Sequence, residues 1–394
     1  MTRLWDKGAP LDERVLEFTA GEDYALDERL VAYDVRASIA HAEMLRDQKL
    51  LSAEDFESLR SALEALAESH ARGEWRIALA DEDGQSALEQ RLSERLGAVG
   101  GRIHLGRSRN DQVLTALRLY LKDALGELEA GALRVAAALD ALASRQGSLA
   151  LPGYTHMQQA MPSSVGLWAG GFAAELRDDA EGVRSALRRV DKNPLGSAAG
   201  YGAPGLPLDR AATTHALGFA STHEPVSAVQ LSRGKAECGV LFECTLLMQD
   251  LGRLAADVLL FYTQEFGFVE IAEAFTTGSS IMPQKRNPDV FELLRGRSAV
   301  ALAALAEALF LYAKLPSGYQ RDLQLLKAPL FRGIDQALQS LDIAAAALAA
   351  LVFQPERIRL EPALHAAEEA YALVLSEGIP FREAYRRIAS RYKK

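Results

Sequence analysis

Long stretches of the chain repeat apolar residues at intervals of three and four, the spacing of one helix face. Between residues 111 and 146 the repeat runs through Val113, Leu117, Leu121, Leu125 and Leu128. At 1.5 Å per residue such a helix would be roughly 50 Å long. Four further stretches share the pattern: 163–190, 232–265, 290–315 and 322–353. One small core cannot bury helices of this length. The pattern therefore predicts an all-α fold with an elongated central bundle of long helices, whose remaining apolar faces are available to partner subunits.

Shorter periodic segments flank the long ones, and their ends carry helix signals. Ser52 is followed by Asp55 at the spacing of a capping box, and Gly97 stands where a helix should close. Residues 1–26 combine glycine, proline and mixed charge, which favours an extended arm with little regular structure. The short helices are predicted at 27–51, 52–70, 86–96, 363–376 and 381–392.

A chain of 394 residues is longer than a typical single domain, so two or three domains are expected. Gly100 and Gly101 interrupt the helical pattern before the long helices begin, and only short helices follow residue 353. We therefore predict a helical N-terminal domain, a central long-helix bundle and a short helical C-terminal domain. Their expected bounds are 1–104, 105–353 and 354–394.

Composition narrows the class of protein. Hydrophobic residues make up 49% of the chain and charged residues 25%, which is typical of a soluble globular protein. A net charge of −9 argues against a nucleic-acid binder, although a local cationic cluster would still bind an anionic substrate. The N-terminus lacks the apolar core of a signal peptide, and no apolar run is long enough to span a bilayer.

The two cysteines, Cys238 and Cys244, lie on different faces of one predicted helix and cannot bridge there. No metal-ligand spacing surrounds them, so both are expected to be buried as small apolar side chains. Two unpaired cysteines and an N-terminus unlike a signal peptide predict a cytoplasmic protein. The net charge and the short apolar runs predict that it binds neither nucleic acid nor membrane.

The most unusual stretch is 277–289, between two long helices. Its glycine and two prolines prevent either helix from continuing, and Lys285, Arg286 and Asn287 supply donors for a carboxylate or phosphate. A serine-bearing cationic loop between helices would suit a catalytic lid, but a plain connection with solvated charges has the same composition. From composition alone both interpretations stay open.

Three other segments carry chemistry and also have simpler explanations. Ser108, Arg109 and Asn110 begin a long helix, where they would either cap it or bind a carboxylate at its N-terminus. His156 would be either a turn residue or a proton-transfer group. The segment 319–327 would be either an amphipathic helix start or a binding segment. The glycine-rich stretch 193–202 follows a helix rather than a strand, so it is not a dinucleotide fingerprint.

The amino-acid sequences of these segments, taken together, resemble those of a known family. Residues 278–288 closely resemble the signature loop of the fumarase/aspartase superfamily, and Pro283–Asp289 is similar to the version found in argininosuccinate lyases. Ser108–Gln112, Thr155-His156 and Tyr319–Lys327 also resemble motifs of that family, and the resemblance covers nearly the whole chain. It implies β-elimination of argininosuccinate to fumarate and arginine, in arginine biosynthesis. It also implies a homotetramer with active sites shared between subunits, and no cofactor or metal.

The resemblance also implies roles for individual residues. Ser279 would be the base and His156, oriented by Glu292, the general acid or base at the leaving nitrogen, although sequence leaves open which of Ser279 and His156 removes the proton. Lys285 and Asn287 would stabilise the carboxylate-enolate. The substrate-binding residues implied are Ser108, Arg109, Asn110, Thr155, Gln159, Asn287, Tyr319, Arg321, Gln324 and Lys327.

The chain departs from the family pattern at several positions. Gln85 stands where the family usually has His, Asp23 where it commonly has a substrate-contacting Ser, and Ser232 and Gly234 replace the acids that usually flank Arg233. The C-terminal domain is also short. These departures leave a substituted argininosuccinate as an alternative substrate. Adenylosuccinate lyase, fumarase or aspartase activity, or a non-catalytic role like that of δ-crystallins, are further alternatives.

Overall fold

The computed structural model describes residues 12–392. Residues 1–11 of the predicted N-terminal arm therefore lie outside the described residues. The chain forms two compact units, each assembled from three stretches. Unit 1 comprises residues up to Glu127, Gly182–Cys244 and Ala301–Asp335, and unit 2 comprises Leu128–Glu181, Thr245–Val300 and residues from Gln336 onward. The three-domain division of the sequence analysis stays a prediction.

The described chain is mainly helical, as predicted. In chain order the α-helices are α1 (Glu13–Ala20), α2 (Asp23–Leu26), α3 (Val31–Asp47), α4 (Ala53–Ala71), α5 (Gly84–Leu96), α6 (Ala98–Gly101), α7 (Arg109–Gln146), α8 (Val165–Val190), α9 (Arg210–Ala216), α10 (Val226–Leu231), α11 (Lys235–Tyr262), α12 (Asp289–Tyr312), α13 (Lys327–Ala349), α14 (Ala366–Glu377) and α15 (Phe381–Arg391). The five long helices, α7, α8, α11, α12 and α13, confirm the predicted long-helix bundle architecture. Within residues 12–392 no helix combines the length and apolarity needed to cross a membrane.

Within residues 12–392, eight short strands form four two-stranded pairs that the sequence analysis did not predict. They are β1 (Ala150–Thr155), β2 (Gln158–Ser164), β3 (Lys192–Asn193), β4 (Ser221–Thr222), β5 (Val269–Ile271), β6 (Thr277–Gly278), β7 (Arg286–Asn287) and β8 (Leu351–Phe353). The β3–β4 pair is parallel, while β1–β2, β5–β8 and β6–β7 are antiparallel. Most of these strands are too short to show the alternation by which a strand is recognised in sequence.

Several predicted boundaries were wrong. The expected extended arm is helical over much of its described part, because Asp12 caps α1 by accepting the Arg14 N–H. The helix expected at 322–353 begins as a 3-10 helix, Arg321–Leu326, and α13 ends at Ala349 before strand β8. The helix expected from residue 27 likewise starts as a 3-10 turn, Asp27–Leu30. A 3-10 turn carries no separate apolar period, so periodicity alone assigns it to the helix that follows.

In unit 1, helices α3, α4 and α5 surround an apolar core that includes Leu45, Leu59 and Leu92. Ser52 caps α4 by accepting the Asp55 N–H at 3.0 Å, which confirms the predicted cap. Helices α11 and α13 approach closely: a Cβ on Gly333 would lie 2.4 Å from a methyl group of Leu241. Local caps and close helix contacts therefore fix the helices that carry the unit 1 motifs.

In unit 2 the core is aromatic. The Trp168 indole packs edge-to-face against Phe172, Phe261 and Phe353, which joins α8, α11 and β8. The indole N–H also donates to Asp257 at 2.9 Å.

Both cysteines are buried and unpaired, as expected, and burial raises the pKa of each thiol to about 12. Neither thiol is therefore ionised near neutral pH.

Candidate active site

The stretch 277–289 forms a hairpin in unit 2, which we call the signature hairpin. Strands β6 and β7 pair at its base, with Thr277 opposite Asn287 and Gly278 opposite Arg286. Thr277 donates a short hydrogen bond to Asp289, and the Asn287 side chain donates to the Gly278 carbonyl at 3.2 Å. The base is thus ordered by its own hydrogen bonds, while residues 280–286 at the tip are exposed.

Ser279 lies immediately after β6, partly buried. Its Oγ accepts hydrogen bonds from the backbone N–H groups of Ile281 at 3.4 Å and Met282 at 3.2 Å. Two N–H donors on one hydroxyl oxygen favour negative charge on that oxygen. Lys285, at the exposed tip, has no ion-pair partner among residues 12–392. Its ammonium is therefore available to an anionic ligand.

The signature hairpin borders a cleft of about 1460 Å³ within unit 2. Lys285, Asn287 and Glu292 all line this cleft, and so does Met157, the neighbour of His156. Arg286 is tied to Glu273 by a short ion pair at the edge of the hairpin. The cleft brings the hairpin together with the first turn of α12 and the turn between β1 and β2. Three of the predicted site residues, Lys285, Asn287 and Glu292, therefore line the same cleft.

His156 and Met157 form the two-residue turn between β1 and β2, with φ of 51° and 61°. Two positive φ values are the geometry of a type I′ hairpin turn, which is uncommon for residues other than Gly, Asn and Asp. His156 and Thr155 are exposed. His156 is thus a turn residue, as one interpretation of the sequence expected, and its imidazole is exposed.

Two residues of the β1–β2 hairpin differ from their predicted contacts: among residues 12–392, His156 lacks its predicted partner and Gln159 has other partners. No hydrogen bond or ion pair joins His156 to Glu292 among the described residues, so that pairing stays a prediction. The side-chain amide of Gln159 donates to the Arg359 carbonyl and accepts the Glu361 N–H, both at 2.9 Å. Gln159 therefore holds the segment 359–361 against β2, and its contact with substrate also stays a prediction.

The second group of predicted residues lies in unit 1, at the start of α7. Ser108 caps the helix by accepting the Asn110 N–H at 3.3 Å, and Asp111 accepts the Ser108 N–H at 2.9 Å, a reciprocal capping box. The Asn110 side chain makes no hydrogen bond within the described part of the chain. The Arg109 guanidinium donates to Asp83 at 3.0 Å and to the Ser86 hydroxyl at 3.3 Å.

Asp111 is a residue to which the sequence analysis assigned no role of its own. Its carboxylate is fully buried and also accepts the N–H groups of Gly196 at 3.0 Å and Ala198 at 2.8 Å. It therefore fastens the Ser108 turn to the glycine-rich loop 193–202. Burial raises the pKa of Asp111 to about 6, against the opposing effect of the N–H donors. Nothing local in the sequence indicated that this carboxylate would reach the loop.

The segment 319–327 also lies in unit 1 and contacts the N-terminal helices. Arg321 donates to the Thr19 carbonyl at 2.8 Å, and Gln324 donates to the same carbonyl at 2.9 Å. Lys327 is buried and pairs with Asp27 at 2.5 Å and Asp23 at 3.0 Å. These three residues thus order the segment 19–27. This finding does not test their predicted contacts with substrate, which stay predictions.

The remaining member of that segment, Tyr319, is half-buried. The guanidinium carbon of Arg233 lies 5.2 Å from its ring centroid, in a cation–π contact. Arg233 is 4% exposed, and its Nε and Nη1 have no hydrogen-bond partner in the described structure. The sequence singled out Arg233 only through its unusual neighbours, so its contact with Tyr319 was missed.

Buried charges concentrate beside these segments of unit 1. Burial raises the pKa of Asp23 to about 7, and the Lys327 ammonium opposes that increase. Burial also raises the pKa of Asp34 to about 6 in spite of nearby Arg107, whose own pKa burial lowers. Arg107, next to Ser108, donates to the Ser38 hydroxyl at 2.9 Å. A polar network of this kind is typical of functional sites, although structural networks also produce it.

Comparison with known proteins places this arrangement among lyases. A family model described as a lyase matches residues 9–302. The argininosuccinate lyase of Sorangium cellulosum (strain So ce56) is 47% identical over 390 residues, which cover 98% of this chain and 90% of that protein. The argininosuccinate lyase of Stenotrophomonas maltophilia (strain K279a) is 44% identical over 393 residues, with the same coverage.

Solved structures agree on the fold. An EDDS lyase variant with bound fumarate matches with a TM-score of 0.81 at 25% identity, over 97% of this chain and 76% of that one. A class II fumarase from Schistosoma mansoni matches with a TM-score of 0.80 at 17% identity, over 98% of this chain and 91% of that one. At that lower identity the likeness concerns the fold alone.

Proposed function

The chain belongs to the argininosuccinate lyase family of the fumarase/aspartase superfamily, and from that premise we propose that it cleaves argininosuccinate to fumarate and arginine. The observation that best supports the proposal is the signature hairpin. It presents Ser279, with two N–H donors on its oxygen, and, six residues later, Lys285, which lines the cleft of unit 2 and has no ion-pair partner among residues 12–392. A carboxylated substrate that loses a proton requires both features, a base and a nearby cation.

The reaction is a β-elimination. A base removes a proton from the carbon next to a carboxylate, and the electron pair left on that carbon spreads into the carboxylate as an enolate. The pair then forms the carbon–carbon double bond of fumarate while the carbon–nitrogen bond breaks. The leaving nitrogen takes up a proton and departs as part of arginine. The side chains must therefore carry out two proton transfers and stabilise one dianion.

Ser279 is our candidate for the base. A serine hydroxyl ionises only with strong help, and the N–H groups of Ile281 and Met282 point at its oxygen. His156 is our candidate for the proton donor at the leaving nitrogen, because histidine is the side chain that most often serves as a general acid or base and this one is exposed. The reverse assignment remains the alternative. Glu292, on the first turn of α12, would orient the imidazole.

Lys285 and Asn287 would meet the charge of the enolate. The Lys285 ammonium has no ion-pair partner among residues 12–392, and both residues line the cleft. Fixed cationic donors in such a place are commonly the largest contribution to catalysis. We further propose that Ser108, Arg109, Asn110, Thr155, Gln159, Tyr319, Arg321, Gln324 and Lys327 bind or frame the substrate.

The assembly and location are also part of the proposal. We propose a homotetramer with active sites shared between subunits, acting in arginine biosynthesis in the cytoplasm. Exposed apolar residues on the long helices support the assembly: Phe310 on α12 is 81% exposed, and Phe242 on α11 and Leu309 are also exposed. Light scattering after size-exclusion chromatography should give four times the mass of the chain, and a monomer would contradict the assembly.

Substrate identity is tested by feeding the purified protein a panel of succinyl adducts and following fumarate. We expect release from argininosuccinate, with arginine appearing in equal amount. Fumarate from adenylosuccinate, aspartate or a substituted argininosuccinate instead would select another lyase. No fumarate from any adduct, with a folded protein, would favour a non-catalytic role.

A further inference from the structure

Lys327 is joined to two acidic residues in the interior of unit 1. The side chain is 2% exposed, and its Nζ lies 2.5 Å from Asp27 Oδ1 and 3.0 Å from Asp23 Oδ1. Asp27 is fully buried. An ammonium group in such a place needs a carboxylate partner, since an unpaired buried charge is strongly destabilising. Asp27 is therefore the main counterion of a residue at the end of the 319–327 segment.

The other oxygen of Asp27 has a different partner. Oδ2 accepts the Gly84 backbone N–H at 3.0 Å. The two residues are so close that a Cβ on Gly84 would lie 3.3 Å from the Asp27 Cβ. Gly84 is the first residue of α5, so Asp27 fixes the position at which that helix begins. One carboxylate thus holds two segments that are far apart in sequence.

The start of α5 leads directly to Arg109. Asp83, the N-cap of α5, accepts the Ser86 N–H at 2.8 Å with one oxygen and the Arg109 guanidinium at 3.0 Å with the other. A continuous series of contacts therefore runs from Lys327 through Asp27, Gly84 and Asp83 to Arg109. Its two ends belong to the two motifs of unit 1 that resemble lyase binding segments.

We propose that Asp27 is a positioning residue of the lyase site, which sets Arg109 and Lys327 in fixed relation to each other. The proposal rests on the proposed function. Asp27 acts through its neighbours, because its fully buried side chain presents no surface to a substrate. A carboxylate suits the task since both its oxygens accept hydrogen bonds, one from an ammonium and one from an amide.

An asparagine at this position would break the series. Its side chain has one oxygen and one NH₂ group, so the NH₂ group must face either the Lys327 ammonium or the Gly84 N–H. Either arrangement leaves one segment without its acceptor. Asp191→Asn is the matched control, because Asp191 also accepts from a lysine, Lys122 at 2.5 Å, and from a backbone N–H, that of Ala220 at 3.1 Å, but is outside the Lys327–Arg109 series.

The test is steady-state kinetics with argininosuccinate on folded enzyme, with thermal midpoints measured in parallel. Asp27→Asn should raise KM about tenfold with a smaller change in kcat, because binding groups are displaced while the reacting groups are intact. Asp191→Asn should change KM less than about threefold. If Asp27→Asn does not fold, Asp83→Asn replaces it: asparagine still caps α5, but the Arg109 ion pair is weakened, so KM should again rise.

A purely structural role is excluded by the double variant. In an Arg109→Ala background, Asp27→Asn should raise KM by a smaller factor than it does alone, because the part of its effect that is transmitted through Arg109 is already lost. Fully additive KM increases, or an unchanged KM in both Asp27→Asn and Asp83→Asn, would overturn the proposal. A wild-type enzyme that releases no fumarate would instead refute the proposed function itself, and this inference with it.

Discussion

The Asp111 carboxylate offers the sharpest test of how unit 1 holds its binding segment. It is fully buried and accepts three backbone N–H groups, from Ser108, Gly196 and Ala198, at 2.8 to 3.0 Å. Replacing Asp111 by Asn keeps the shape but offers only one acceptor oxygen. At least one N–H then faces an NH₂ group in the interior, and every remaining bond loses the assistance of the charge.

The expected loss follows from those contacts. Hydrogen bonds to a charged group contribute about 1.5–3 kcal/mol each, and a buried unsatisfied donor costs about 1–3 kcal/mol. Allowing for relaxation, we expect Asp111→Asn to lower the free energy of unfolding by about 2–4 kcal/mol. With a urea dependence of about 3 kcal/mol per molar, the unfolding midpoint should fall by about 1 M.

The assay is urea unfolding followed by circular dichroism at one fixed protein concentration, since assembly makes stability concentration-dependent. Asp209→Asn is the control: Asp209 caps α9 with a single N–H contact of 2.9 Å, and asparagine caps helices equally well, so its change should stay below about 0.5 kcal/mol. Equal midpoints for the two variants would refute the role that we assign to the Asp111 contacts.

Two further predictions concern the same unit. Burial lowers the pKa of His41 from its ordinary value of 6.5 to about 3. Between these two values the unfolded chain binds a proton that the folded chain does not bind, so the free energy of unfolding decreases as the pH is lowered. His41→Gln should reduce that slope by up to about 1.4 kcal/mol per pH unit between about pH 6 and pH 5, and an unchanged slope in urea unfolding would contradict it. Gly234, at φ +80°, would place a Cβ 2.4 Å from the Tyr312 Cβ, whereas Gly205, at φ +84°, has open space. Alanine should therefore cost at least about 1 kcal/mol more at Gly234 than at Gly205, and equal losses in thermal unfolding would argue against the overlap.

Much of the fold could be predicted because its signals are local. The five long helices follow from apolar periodicity, and the cap at Ser52 follows from the residue three positions later. Recognition of the family likewise needed only contiguous letters, such as those of 278–288. The two-residue ladder of the signature hairpin was missed because its pairing depends on Asn287 meeting Thr277 across the tip, a contact with no sequence period.

The contacts that order the site were less accessible. The partners of Asp111 lie in the loop 193–202, and those of Lys327 lie near the N-terminus, so their pairing depends on the tertiary fold. Gln159 shows the same limit, since its amide is used by the segment 359–361. The sequence indicates which functional groups a residue can offer, whereas only the folded chain shows which neighbour those groups bind.

The account depends most on Ser279 acting at the reacting centre beside Lys285. The direct measurement is fumarate release from argininosuccinate by Ser279→Ala, compared with the wild-type enzyme at saturating substrate and with folding checked by circular dichroism. We predict a fall in kcat of at least about 100-fold with the fold intact, as expected for the loss of a proton-transfer group. A folded Ser279→Ala enzyme with turnover near that of the wild type would contradict the account.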